Sequence, residues 1–255
     1  MTILDDIVAR TSARLGNEPP PDRAAAEIVA RNRPLFALTA ALQRDGINVI
    51  AEIKSASPSA GSIVENPDVE AIAATYKQGG AAAISVVTEP EFFHGSREWI
   101  GRAAGQLPIL MKDFIVDESQ LIRGIAAGAS AILLLASLLD AKQIRDFIRS
   151  LDTYSCDALV EVHDEAELER AIEAGARIIG VNNRNLRDFS VDLGASERLA
   201  RQIPDGVIRV AESGIKTRDD IDRLRTAGFD AFLVGESLLR QTDRAAAVRQ
   251  LVFGS

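Results

Sequence analysis

Glu52 and Lys54 stand two residues apart in the apolar run Val49-Ile-Ala-Glu-Ile-Lys54. In an extended strand that spacing puts both on one face, with Ala51 and Ile53 on the other. A charge inside a strand buried on both faces must be paired or must have a use. A structural ion pair is one reading and a reactive pair is the other. Four more polar residues sit within or at the end of apolar runs: Lys112 after Ile109-Leu-Met, Glu161 between Val160 and Val162, Asn182 after Ile178-Ile-Gly-Val, and Glu212 after Val207-Ile-Arg-Val-Ala. Singly, each has an ordinary explanation: a solvated loop lysine, a satisfied core carboxylate, a turn at Asn182-Asn-Arg-Asn, a strand-end cap at Glu212-Ser213. Brought to one place, two lysines and three carboxylates make an acid–base site. A lysine close to another lysine, or poorly solvated, is expected to have a lowered pKa and to serve as an acid. A carboxylate in an apolar wall is expected to have a raised one and to serve as a base.

These residues need elements that converge. Four segments share one pattern, a glycine followed by a short apolar run: Gly80-Ala-Ala-Ala-Ile-Ser-Val-Val, Gly128-Ala-Ser-Ala-Ile-Leu-Leu-Leu, Gly175-Ala-Arg-Ile-Ile-Gly-Val-Asn and Gly228-Phe-Asp-Ala-Phe-Leu-Val-Gly. Each follows a helix-like segment, so the glycine reads as a left-handed helix cap and the run as a buried strand. The glycines recur at roughly 50 residues, more than the ~30 that one βαβ crossover takes, so another strand belongs between each pair. Val49–Lys54, Ile109–Lys112, Ala158–Val162 and Val207–Ala211 supply them. Interleaving gives eight βα units and predicts an α/β fold, a (β/α)8 TIM barrel. No G-x-G-x-x-G fingerprint supports an open doubly wound sheet instead. Residues 1–46 are expected to form a helical extension packed on the barrel, closing its bottom, with 47–255 as the barrel and one domain overall.

Composition narrows the chemistry. The chain has 255 residues and a formal net charge of −8, which offers no general footprint for nucleic acid. The longest apolar stretch, Ala131–Leu139, is far short of the ~18 residues of a spanning helix. The N-terminus is acidic and lacks the form of a secretory signal, and the single cysteine, Cys156, has no partner for a disulfide. A cytoplasmic protein is expected, with no membrane or nucleic-acid partner. The two histidines, His94 and His163, read as surface residues, and no metal-binding spacing accompanies them.

In a barrel the seventh and eighth loops commonly hold phosphate. Here they are Ser213-Gly214-Ile215 and Gly235-Glu236-Ser237, the latter opening a short helical stretch. Glycine permits close backbone approach, and helix-start amides face the anion. The Glu236 side chain is expected to turn away while its amide binds. Ordinary βα turns are the alternative. Ser57-Pro58-Ser59 reads as a turn after the first strand. Phe93, Phe114 and Leu133 are either core residues or a wall for a flat aromatic ligand.

Ile50-Ala-Glu-Ile-Lys54 with Ser57-Pro58-Ser59, Leu110-Met-Lys-Asp-Phe-Ile115, Ala211-Glu-Ser-Gly-Ile215 and Phe232-Leu-Val-Gly235 together resemble indole-3-glycerol phosphate synthases across nearly the whole chain. The resemblance implies a carboxy-lyase of tryptophan biosynthesis. It would act on the phosphorylated small molecule 1-(2-carboxyphenylamino)-1-deoxyribulose 5-phosphate, without metal or cofactor. It implies Lys112 as general acid, Glu161 as general base, and Lys54 as the cation for the substrate carboxylate, with a possible share of acid duty. Glu52 and Asn182 would orient the lysines and substrate hydroxyls, and Arg184 would contact the carboxylate or sugar. Ser57, Ser213, Gly214, Gly235 and Glu236 match the phosphate side. Phe93, Phe114 and Leu133 match the anthranilate wall, and Glu212 is grouped with the substrate-binding positions. A monomer or weak homodimer is expected. Ala60 departs from relatives with lysine or glycine after Ser-Pro-Ser, removing a possible positive charge. Two rival readings remain: a sugar-phosphate isomerase, which wants a cysteine–aspartate pair, and a barrel that only binds a phosphorylated ligand.

Overall fold

The computed structural model describes residues 3–184 and 190–254, the side chain of Ala195 excepted. Eight parallel strands close into a barrel: β1 (Asn48–Ile53), β2 (Ala83–Val87), β3 (Ile109–Lys112), β4 (Ala131–Leu135), β5 (Asp157–Val162), β6 (Ile178–Asn182), β7 (Ile208–Glu212) and β8 (Ala231–Val234). Each pairs with its neighbours in sequence, and β1 closes the ring against β8, in the register Asn48 to Ala231 and Ala51 to Val234. The expected (β/α)8 barrel is the observed one.

Alternation along the strands divides the core into two layers. Ile50, Leu110, Leu133, Leu159, Val210 and Leu233 fill the barrel interior. Val49, Ala51, Ile53, Ile84, Val160, Ile179 and Phe232 face the surrounding helices. Several of those helices end on left-handed glycine caps, as at Gly80 (φ 94°) and Gly128 (φ 112°), where a Cβ would be strained. Among the described residues no helix is long and apolar enough to cross a membrane.

The N-terminal residues go to both ends of the barrel. Helices α1 (Ile3–Leu15), α2 (Arg23–Arg31) and α3 (Ala37–Leu42) precede β1. Leu38 and Leu42 of α3 join the interior layer at the bottom. There the Asp157 carboxylate accepts hydrogen bonds from the Leu38 and Thr39 amides (3.0 and 3.1 Å) and from Thr39 Oγ1 (2.6 Å). This anchors a helix whose own N-cap, Phe36, has no capping side chain. α1 lies instead at the opposite end, where Ile3, Leu4 and Ile7 border the mouth and Arg10 pairs with Glu91 at 2.9 Å. Its apolar stripe is spent on the mouth rather than on the bottom.

Candidate active site

The C-terminal ends of the strands open into one cavity of about 810 Å³, within the range of small-molecule sites. Glu52, Lys54, Ser57, Phe93, Lys112, Phe114, Leu133, Glu161, Asn182, Arg184, Ser213, Gly214, Gly235 and Glu236 all line it. They come from the ends of all eight strands or the loops after them, so the barrel closure is what brings them together.

Glu52 ends an inward row of β1, and Lys54 lies just past that strand. Glu52 Oε1 is 2.6 Å from Lys54 Nζ, and its Oε2 is 3.8 Å from Lys112 Nζ. Burial pushes the Glu52 carboxyl up, but the two lysines outweigh it and hold the group below the usual carboxylate range. Lys112 ends β3 with about a fifth of its side chain exposed. Its Nζ is 2.7 Å from Glu212 Oε2 and 3.6 Å from Glu161 Oε2. The expected lowering of a lysine pKa is therefore corrected. Burial favours the neutral amine, yet Glu212, Glu161 and Glu52 outweigh it and raise Lys112 above the ordinary lysine value. It is held as an ammonium.

Glu212 is the one candidate that does not line the cavity. It is fully buried beneath Lys112, and the contact it makes there is with the lysine. Burial raises its pKa to about 7, with Lys112 opposing and Glu161 adding to the rise. Its Oε1 has no hydrogen-bond donor among the described residues, yet Glu161 lies within hydrogen-bonding reach of Glu212. The two carboxyls titrate as a pair, and of the two it is Glu212 that holds a proton more readily. Glu161, by contrast, is held below the usual range. Burial raises it, and Lys112, His163 and Asn182 bring it down.

Room for these carboxylates comes from two glycines. A Cβ on Gly180 would strike Glu212 Oε1 and Leu159, and one on Gly235 would strike Glu52 Oε1. Asn182 fixes Glu161 from the side: its Nδ2 donates to Glu161 Oε1 at 3.0 Å, while its Oδ1 accepts from the Arg184 amide at 3.0 Å.

On the wall, the Phe93 and Phe114 ring centroids are 5.9 Å apart at a tilt of 41°. Glu89 holds the Phe93 loop by accepting the amides of Glu91, Phe92 and Phe93. On the other side Ser213 (φ 65°) and Gly214 (φ 80°) turn the backbone at the rim. Gly235 is the N-cap residue of the short helix Glu236–Leu239, and no side chain caps it. Glu236 turns to Arg240 at 2.9 Å, away from its own amide. Ser57 Oγ accepts the Ala60 amide at 3.1 Å.

Sequence reasoning missed three groups. Ile3, Leu4 and Ile7 of α1 line the mouth, and nothing in their spacing says which end of the barrel they cover. Lys216 and Arg240 bring positive charge to the rim that lacks a cation at Ala60. His163 is the third. The expectation of a surface residue is corrected: 15% of its side chain is exposed, and its Nε2 is 3.3 Å from Glu161 Oε1. A signal was present, since His163 shares the strand parity of Glu161. Cys156 lies buried before β5, its thiol pushed up to about 11 by burial, which removes the pair an isomerase would need.

The family model described as indole-3-glycerol phosphate synthase matches residues 4–251. A protein of that name from Chlorobium chlorochromatii (strain CaD3) is 45% identical over 251 residues, covering 95% of this chain and 97% of the relative. One from Lacticaseibacillus paracasei is 42% identical, covering 98% of this chain and 97% of the relative. Solved structures align at low identity and show the barrel alone. Thiamine phosphate pyrophosphorylase from Pyrococcus furiosus gives a TM-score of 0.60 at 16% identity, over 80% of this chain and 93% of that one.

Proposed function

The chain belongs to the indole-3-glycerol phosphate synthase family, and from that premise we propose how its own residues divide the work. The enzyme closes the indole ring of 1-(2-carboxyphenylamino)-1-deoxyribulose 5-phosphate with loss of carbon dioxide and water, a lyase step of tryptophan biosynthesis.

Attack of the ring carbon on the ketone makes the carbonyl oxygen more basic. Lys112, held as an ammonium at the cavity floor, donates the proton there. Lys54 and Arg184 hold the substrate carboxylate or the sugar, with Glu52 setting the position of Lys54 at 2.6 Å. Glu161, kept ionised and oriented by Asn182, removes the proton that accompanies dehydration. Glu212 contacts Lys112, which also faces Glu161, so it stands where the proton gained by the base can return to the acid. The backbone at Ser213, Gly214, Gly235 and Glu236, with Ser57, takes the phosphate, and Phe93, Phe114 and Leu133 take the anthranilate ring. Anchoring both ends orients the reacting atoms.

The observation that carries this assignment is Lys112 Nζ within 2.7, 3.6 and 3.8 Å of three buried carboxylates on the floor of the cavity. Simple phosphate binding has no use for that arrangement. A monomer or weak homodimer acting in the cytoplasm on a small phosphorylated substrate is part of the same proposal. The test is to supply the substrate to the purified chain with no metal or cofactor added and to follow indole fluorescence. Turnover that Glu161→Gln abolishes supports the roles. Tight phosphate-ligand binding without turnover contradicts them.

A further inference from the structure

The aromatic wall of the cavity is held from behind by two adjacent residues just past β2. Thr88 and Glu89 are buried, and neither lines the cavity. The Thr88 amide donates to the Lys112 carbonyl at 3.0 Å, and its hydroxyl donates to Asp113 Oδ2 at 2.6 Å. Asp113 Oδ1 in turn accepts the Phe114 amide at 2.8 Å. Glu89 Oε2 accepts the Phe92 and Phe93 amides at 2.6 and 3.1 Å, and its Oε1 accepts the Glu91 amide at 3.1 Å. A Cβ on Gly95 would strike the Val87 carbonyl, so the chain after Phe93 is pressed against the end of β2. Thr88 and Glu89 thus set the backbone that carries both rings.

A buried carboxylate without a countercharge bears the full cost of its desolvation. Here the countercharge comes from α1. Arg14 Nη1 is 3.7 Å from Glu89 Oε1 and 3.5 Å from Glu91 Oε1, with 26% of its side chain exposed against 1% for Glu89. Its charge also reaches Asp113: burial raises that carboxyl and Glu89 adds to the rise, while Thr88, the Phe114 amide and Arg14 oppose it. Arg14 follows Ile7 by about two turns, so both lie on one face of α1. Ile7 borders the cavity mouth, whereas Arg14 does not line the cavity. Resting on the assignment of Phe93 and Phe114 to the anthranilate ring, we propose that Glu89 is a positioning residue for ring binding and that Arg14 makes the docking of α1 a condition of it. With Arg14 in place, Glu89 keeps its three amides and holds Phe93 at the cavity. With α1 displaced, the carboxylate loses its cation and the Phe93 segment loosens. The helix at the mouth and the aromatic wall therefore act as one unit, and neither Arg14 nor Glu89 touches substrate.

The test measures kcat and KM for indole formation, and the inhibition constant of inorganic phosphate, in wild type and in Glu89→Gln, Arg14→Met, Arg14→Lys and Phe93→Ala. Phe93→Ala reports on the wall directly and is expected to raise KM about tenfold. Glu89→Gln replaces an acceptor oxygen by a donor, so at least one of the three amides loses its partner. It and Arg14→Met are each expected to raise KM about three- to tenfold, with kcat within about twofold and the phosphate inhibition constant unchanged. Arg14→Lys keeps the charge and is expected to hold KM within about twofold of wild type. Arg14→Met added to Phe93→Ala is expected to raise KM by less than about twofold more, because the ring it positions is already gone. A merely structural role would lower the melting temperature and leave KM in place. A KM within about twofold of wild type in both Glu89→Gln and Arg14→Met overturns the proposal, as does an equal effect of Arg14→Met with and without Phe93. If Phe93→Ala itself leaves KM unchanged, the assignment of the aromatic wall fails instead.

Discussion

Glu212 Oε2 lies 2.7 Å from Lys112 Nζ, with the carboxyl fully buried and the ammonium at the cavity surface. The charged end of the pair faces the substrate and the proton-holding end faces the core. A buried pair of this kind is weak support for stability. Its value lies in keeping a proton donor charged inside a partly desolvated cup.

That arrangement has a signature in the pH dependence of folding. Glu212 titrates near pH 7 when folded, against an ordinary value of 4.5. A raised folded pKa contributes stability fully below the unfolded value and loses it as pH rises through the folded one. Glu52 and Glu161 are lowered, so their contribution is present above 4.5 and is lost only on further acidification. Glu212→Gln is therefore expected to flatten the stability profile between pH 4.5 and about 7, measured by urea unfolding. Parallel profiles for the two proteins would contradict the proton assignment.

Gly180 is predicted to be intolerant of a single methyl group. A Cβ there meets Glu212 Oε1 and comes within 2.7 Å of Leu159 Cδ2. Gly180→Ala is expected to cost about 1–3 kcal/mol and to lower kcat, because the carboxyl must move away from Lys112. A folded variant with unchanged kcat would show that Glu212 is not needed where it stands.

The bottom of the barrel separates stability from chemistry. Asp157→Ala leaves the Leu38 and Thr39 amides without their acceptor. The expected loss is about 1–3 kcal/mol in unfolding experiments, with kcat and KM unchanged in the folded protein. A change in KM would mean that α3 communicates with the mouth.

Much of this was legible before the fold was known. Barrel strands are buried on both faces, so they appear as apolar runs, and a charge such as Glu52 or Glu161 within one stands out. Alternation then says which charges share the interior. The two ends of the N-terminal segment were not separable, because the stripe Ile3, Leu4 and Ile7 would suit either end of a barrel. The direction of the Lys112 pKa was not readable either. It depends on how many carboxylate tips reach one nitrogen, which strand spacing does not give. Glu212 looked like a ligand contact for the same reason: its position at a strand end places it near the mouth, while its side chain packs under Lys112. His163 could have been found by the argument that paired Glu52 with Lys54, since it stands two residues beyond Glu161.

The most direct test of the central claim is the turnover of Lys112→Met beside Lys54→Met, followed as indole formation with the unfolding midpoint as a control. The account predicts that Lys112→Met loses on the order of 10²–10⁴-fold in kcat with a modest change in KM, while Lys54→Met chiefly raises KM. A folded Lys112→Met that keeps kcat within about threefold of wild type would contradict it and would move the acid to Lys54.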